Sequence, residues 1–242
     1  MTTLLFELCA ESVEAARAAQ AGGADRIELC SGLAMGGITP DAKLIAASLA
    51  AVSIPVYVLI RPRSGSFVYT TEEFELMRRQ IEEAKSAGAS GVAIGMLLSD
   101  GRVDVEGTRK LIEWARPMKA TFHRAFDETP DLCEALESVI ATGADSLLTS
   151  GGAAEVLRGA ESIGSLARLA GGRIHILAGG GLRLATLTEV VRKSGNFSLH
   201  GSLTRKNGNR TPQAAQALLE ADVREAVRLL RREYEEAMAA AR

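Results

Sequence analysis

Short apolar runs rich in branched side chains alternate along the chain with segments whose apolar positions recur every three or four residues. Residues 4–9, 26–30, 54–61 and 91–98 read as four strands, and 119–127, 145–150, 173–178 and 196–201 as four more. Helical periodicity fills the intervals at 12–21, 39–51, 70–87, 104–115, 130–141, 155–170 and 184–194, with a long charged helix over 212–242. Boundary residues support this division. Gly22 and Gly23 stop the first helix, Thr39 with Pro40 reads as an N-cap and first helical residue, and Thr70 with Glu73 forms a capping box.

Eight strands, each followed by a helix, imply parallel βαβ units and predict an α/β fold closed as a (β/α)₈ TIM barrel. An open doubly wound sheet is the alternative, but no GxGxxG turn follows the first strand. The length of 242 residues suits one domain over 1–242, ending in an extra long C-terminal helix. The basic, Gly/Asn-rich stretch at 203–213 is the one long predicted loop.

Composition narrows the function classes. Apolar residues reach 47%, enough for a large core, while aromatics at 4% suit aliphatic helix-on-sheet packing. A formal charge of −2 gives no footprint for nucleic acid or an acidic membrane surface. No apolar run approaches the roughly 18 residues of a membrane span, and Glu7 and Glu11 interrupt any leader-like stretch. Three cysteines, Cys9, Cys30 and Cys133, make no disulfide framework, so the expected setting is a reducing cytoplasm. The terminal helix could dock on the barrel or on another subunit of a homo-oligomer.

Barrel chemistry gathers at the C-terminal strand ends, and polar residues collect there. Alternation puts Leu4, Phe6 and Leu8 outward under the helices and turns Glu7 and Cys9 inward; it treats Glu28 and Cys30 alike. Thr121, His123 and Asp127 share a face, and Arg61 shares one with Tyr57 and Leu59. The inner mouth is thus expected to hold Glu7, Glu28, Arg61, His123 and Asp127. Burying unpaired charge costs several kcal/mol, so such a group must be paired, solvated or kept for use. Arg61 is expected opposite Glu28, holding it ionised, while two nearby acids push one pKa up. Glu28, Arg61, His123 and Asp127 are the catalytic candidates, for acid–base work on a small anionic, phosphorylated substrate.

The doubled Glu-x-Cys is a separate signal. If the two strands run in matched register, Cys9 and Cys30 could bind one soft ion, Cu(I) above harder metals; plain packing of two small apolar side chains is the competing reading. Gly179, Gly180 and Gly181 end one strand and His200, Gly201 and Ser202 another, a place where barrels bind anions on backbone N–H groups. Arg63, Ser150, Gly180, Gly181 and Ser202 are the anion-binding candidates. His175 lies too early in its strand to reach the mouth; the face taken by His200 is undecided. Cys133 and Trp114 are read as helix packing.

Together "ADRIELC", "GGITP", "IRPR", "TFHRAFD", "LTSGG" and "LHGS" resemble the CutC family, named as copper homeostasis proteins, from about Phe6 to Ser202. That resemblance implies a TIM barrel, a cytoplasmic location, a role in copper handling, and Cu(I) bound at Cys9 and Cys30; the doubled Glu-x-Cys itself would set Glu7 and Glu28 around such an ion.

Overall fold

A computed structural model describes residues 3–203 and 211–240. Among them, eight parallel strands close a barrel in chain order: β1 (Leu5–Ala10), β2 (Arg26–Leu29), β3 (Val56–Leu59), β4 (Gly91–Ile94), β5 (Lys119–Phe122), β6 (Ser146–Thr149), β7 (His175–Gly179) and β8 (Ser198–Gly201). The helices are α1 (Val13–Gly22), α2 (Ala42–Ala51), α3 (Thr71–Ser86), α4 (Val105–Ala115), α5 (Leu132–Thr142), α6 (Ala160–Ala170), α7 (Leu184–Ser194) and α8 (Pro212–Ala240). No helix among the described residues is long and apolar enough to cross a membrane.

Outward strand residues such as Phe6, Leu8, Ile27, Leu29, Val58 and Ile94 are fully buried beneath the helices and form the main core. Inward positions pair large side chains with glycines. A Cβ on Gly91 would stand 2.6 Å from the Tyr57 ring, and one on Gly95 would stand 2.6 Å from His123 Nδ1. These gaps let polar rings lie across the barrel floor without parting the strands.

The long terminal helix takes the eighth helical place. It packs on α1 and α7, burying Val223, Ala226, Val227 and Leu230. Gly22 is its crossing point, because a Cβ there would come within 2.6 Å of Val223. Glu233 is buried in the same face and takes Arg192 Nε of α7 at 2.7 Å.

Several boundaries differ from the pattern-based expectation, each for a local reason. The capping box of α3 is present, but Asp41 caps α2, its carboxylate taking the Leu44 N–H at 2.8 Å. Thr39 instead accepts from the Arg61 N–H at 2.8 Å and donates to Gln80 at 3.0 Å, tying the β2–α2 loop to the end of β3. The sixth helix starts at Ala160 and not at 155. Residues 151–159 are spent on turns that reach β7, where the Val156 N–H donates to the Gly180 carbonyl at 2.7 Å. Cys133 is exposed in the first turn of α5 and packs in no core. Trp114 is half-buried, its ring 5.4 Å from Phe74. Most of the basic loop, 204–210, lies outside the described residues.

Candidate functional site

Register decides which inward side chains meet. Glu7 of β1 stands level with Arg26 of β2 on one side and His200 of β8 on the other, and His200 is level with Gly179 of β7. Side chains on one such row share a face and touch. Arg26 Nε donates to Oε2 of Glu7, while His200 Nδ1 meets Oε1 at 2.8 Å. His200 therefore faces inward. Gly179 makes room for it, since a Cβ there would sit 2.9 Å from the His200 Cβ. Burial alone would raise the Glu7 carboxyl; the charges of Arg26 and His200 reverse that and hold it below its ordinary range. Burial alone would lower His200, and Glu28 with Glu7 lift it above its ordinary value instead.

One pleat nearer the mouth, Cys9 is level with Glu28, not with Cys30. The matched register imagined for the two thiols is thus absent: Cys30 lies two residues beyond Glu28 on the same face. Their sulfurs still approach to 3.5 Å, because Cys30 leans diagonally over Cys9. Cys9 Sγ also donates to Glu28 Oε1 at 3.6 Å. Neighbouring Cys30, burial and Glu28 together push the Cys9 thiol well above its ordinary value. Burial raises Glu28 too, and the nearby His200 charge only partly offsets it. Both cysteines are free and buried. Cys9, Glu28 and His200 each present a ligand atom within 4.8 Å of the others, a set able to hold a metal ion.

These residues floor a cavity of about 860 Å³ whose wall also carries Arg61, His123, Asp127, Gly180, Gly181 and Ser202. Arg61 does not reach over to hold Glu28. Its Nη1 donates to the Gly36 and Gly37 carbonyls at 3.2 and 3.0 Å and its Nη2 to Gly65 at 2.8 Å, pinning the β2–α2 and β3–α3 loops together. The cation expected on an acid is instead Arg26, on Glu7. Arg26 shares the face of Glu28 and Cys30 by two-residue alternation, a signal that the sequence reading did not use.

The fifth strand ends at Phe122, and 124–128 turn into a 3₁₀ helix, because His123 Nδ1 accepts the Ala125 N–H at 3.2 Å. Asp127 consequently sits on a turn and not on a strand face. Its Oδ1 takes the Thr149 hydroxyl at 2.5 Å and the Gly152 N–H at 3.0 Å, and its Oδ2 takes Arg124 Nε at 2.9 Å. Ser150 is buried, its hydroxyl donating to the Ala153 carbonyl at 2.6 Å. Arg63 lies outside the cavity wall and pairs with Glu73 of α3. His175, at the opposite end of its strand, meets the Ser198 hydroxyl at 2.7 Å.

A buried Glu-x-Cys pair on β1 and β2, with His200 beside it, coincides with a match to the sequence model of the CutC family over residues 4–205. The chain belongs to the CutC family. A CutC family protein of Caulobacter vibrioides is 44% identical over 199 residues, covering 82% of this chain and 81% of that protein. The copper homeostasis protein cutC homolog of Homo sapiens is 42% identical over 216 residues, covering 88% and 79%. The solved CutC structure from Streptococcus agalactiae superposes with a TM-score of 0.78 at 30% identity, covering 84% of this chain and all of that one. An N-(5'-phosphoribosyl)anthranilate isomerase of Pyrococcus furiosus, at 17% identity and a TM-score of 0.60, shares the barrel fold alone.

Proposed function

We propose that this CutC protein is a cytoplasmic copper homeostasis protein that binds Cu(I) through Cys9 and Cys30 at the barrel mouth. The observation that carries this reading is the 3.5 Å approach of two buried, unoxidised sulfurs at the floor of an open cavity. Paired thiolates select soft ions, and the donor chemistry fits Cu(I). Cys30 and Cys9 would hold the ion; Glu28 takes the Cys9 S–H now and is placed to accept the proton that binding displaces. The human relative's name, copper homeostasis protein, supports the same assignment. Anaerobic Cu(I) titration against a competing chelator tests it: Cys9→Ala and Cys30→Ala should each lower affinity at least tenfold. Unchanged affinity in both would remove the pair from consideration.

A second reading is favoured by His123. With the Ala125 N–H donated to Nδ1, the ring proton resides on Nε2, which is buried without an acceptor. Burial, and then the Arg61 charge, lowers this imidazole to about 3, so it stays neutral. A neutral donor in a cavity is placed to polarise a substrate oxygen. In this reading the substrate is a small anionic, phosphorylated molecule. Arg61 supplies positive charge, Glu28 or Asp127 exchanges protons, and Gly180, Gly181 and Ser202, which line the cavity, are candidates for its anionic end; Arg63 and Ser150 do not line it. Turnover of metabolite mixtures by wild type, Glu28→Gln and His123→Asn tests the roles; any converted substrate should be lost in both variants.

A further inference from the structure

The copper reading gives Cys9 one partner, Cys30, and leaves Glu28 and His200 as neighbours. The geometry supports a different use of the same thiol. We propose that Cys9, Glu28 and His200 form a separate three-donor site for a borderline divalent ion of the zinc class, its remaining position facing the cavity.

Placement is the first argument. β1 lies between β2 and β8, so Glu28 and His200 approach Cys9 from opposite sides, and all three side chains are buried. Their ligand atoms lie within 4.8 Å of one another, and the Cys9 Sγ to Glu28 Oε1 separation is already 3.6 Å. Zinc bonds of about 2.0–2.3 Å put tetrahedral donors roughly 3.3–3.8 Å apart. No separation in the set exceeds 4.8 Å, so a contraction of about 1 Å completes it without releasing His200 from Glu7.

Support around the histidine is the second. Metal-bound imidazoles usually give their other nitrogen to a carboxylate, which fixes ring and tautomer. Glu7 Oε1 occupies Nδ1 of His200 at 2.8 Å, so the ligating nitrogen is Nε2. Arg26 holds the other oxygen of Glu7. A buried arginine–carboxylate–histidine relay is more than packing requires, and it aims one nitrogen.

Charge is the third. A divalent ion bound by the Cys9 thiolate and the Glu28 carboxylate leaves the buried set neutral. Cu(I) on two thiolates leaves a net negative charge with Glu28 against it, which a low-dielectric floor disfavours. A mixed sulfur, oxygen and nitrogen set suits zinc better than it suits Cu(I). Three protein ligands and one open position is the pattern of zinc sites that activate water or polarise a substrate oxygen.

This site does not rest on the copper reading; the two share Cys9 and differ in every other ligand. The test titrates metal-free full chain with Zn²⁺ against a chromophoric chelator, and with Co²⁺ to detect sulfur ligation by its charge-transfer absorption. Cys30→Ala should bind Zn²⁺ at least as tightly as wild type, because it removes a neighbour that holds the proton on Cys9, and both should show the sulfur–cobalt band. Cys9→Ser should lose the band, while Glu28→Gln and His200→Gln should each weaken Zn²⁺ at least tenfold. Cu(I) titration of the same variants should show the opposite dependence on Cys30. Circular dichroism of each metal-free variant confirms folding; if His200→Gln fails to fold, Glu28→Gln alone decides. Absence of Zn²⁺ binding in wild type overturns the proposal. So does binding that needs Cys30 but neither Glu28 nor His200, an outcome that leaves the copper reading intact.

Discussion

Glu7 Oε1 meets His200 Nδ1 at 2.8 Å across the seam where β8 closes on β1, while the other oxygen of the same carboxylate is held by Arg26 of β2. Three neighbouring strands are thereby tied at one level inside the barrel. The contact follows from register, because Glu7 is level with both partners and all three side chains turn inward.

Removing the shared carboxylate should therefore be costly. Glu7→Ala strands the Arg26 charge on the barrel floor with no carboxylate beside it. Breaking one side of a buried ion pair costs about 3–5 kcal/mol. For a chain of this size that corresponds to a fall in Tm on the order of 10 °C. Urea and thermal unfolding check it. A loss below about 1 kcal/mol would mean that water reaches Arg26 and the row is less dry than its burial implies.

His123 makes stability depend on acid. Its folded pKa, about 3, lies below the ordinary value of 6.5, so the native state binds this proton later than the unfolded chain does. The stabilisation is complete above pH 6.5 and is lost as pH falls towards 3, by about 1.4 kcal/mol per unit. His200 works in the opposite sense: its raised pKa contributes stability that is complete below 6.5 and fades as pH rises through the folded value. Between pH 6.5 and 5 the wild type should lose about 2 kcal/mol through His123. In His123→Asn that loss should vanish from the urea-derived stability profile, whatever the substitution costs at pH 7.

The alternation of Glu7 with Cys9 and of Glu28 with Cys30 was legible, because a two-residue period fixes the face a strand side chain takes. The stagger between strands was not, since alternation within one strand says nothing about its level against the next. Hence the matched register on which the cysteine pairing was conditioned is absent, although the two sulfurs still meet diagonally, and Arg61, placed opposite Glu28 by pattern, is replaced as the buried acid's partner by Arg26 on Glu7. "TFHRAFD" reads as continuous strand, yet His123 accepts its own chain's Ala125 N–H and ends the ladder early. Such local side-chain capping competes with strand pairing and leaves only a weak trace in sequence. The eight-fold rhythm was clear, because each βα unit carries its own change of period.

Gly91 provides a test of barrel-floor packing. The Tyr57 ring lies across it beneath the Arg26 guanidinium, whose carbon is 4.1 Å from the ring centroid. A Cβ at Gly91 would fall 2.6 Å from that ring. Gly91 is a strand residue outside the positive-φ region, so Gly91→Ala costs volume and not backbone strain. Overpacking of this kind should destabilise by about 1–3 kcal/mol, and pairing it with Tyr57→Leu should recover part of the loss. Additive penalties in that double-mutant cycle would show that the ring and the glycine are not coupled.

The three thiols should differ sharply in reactivity. Cys133 is exposed at the start of α5, whereas Cys9 and Cys30 are buried at the cavity floor. Thiolate is the reacting form, and Cys30, burial and Glu28 all hold the Cys9 proton in place. In native protein at neutral pH a maleimide should therefore label Cys133 fast and Cys9 slowly, while in urea all three should react. Mass spectrometry of quenched samples reads the order directly. Glu28→Gln removes one of the charges that holds the proton on Cys9, so it should speed labelling of that thiol alone. Equal rates for Cys9 and Cys133 in the native wild type would show that the cavity floor is far more accessible than the burial of Cys9 implies, and the two-sulfur and three-donor sites would both lose the dry floor on which they depend.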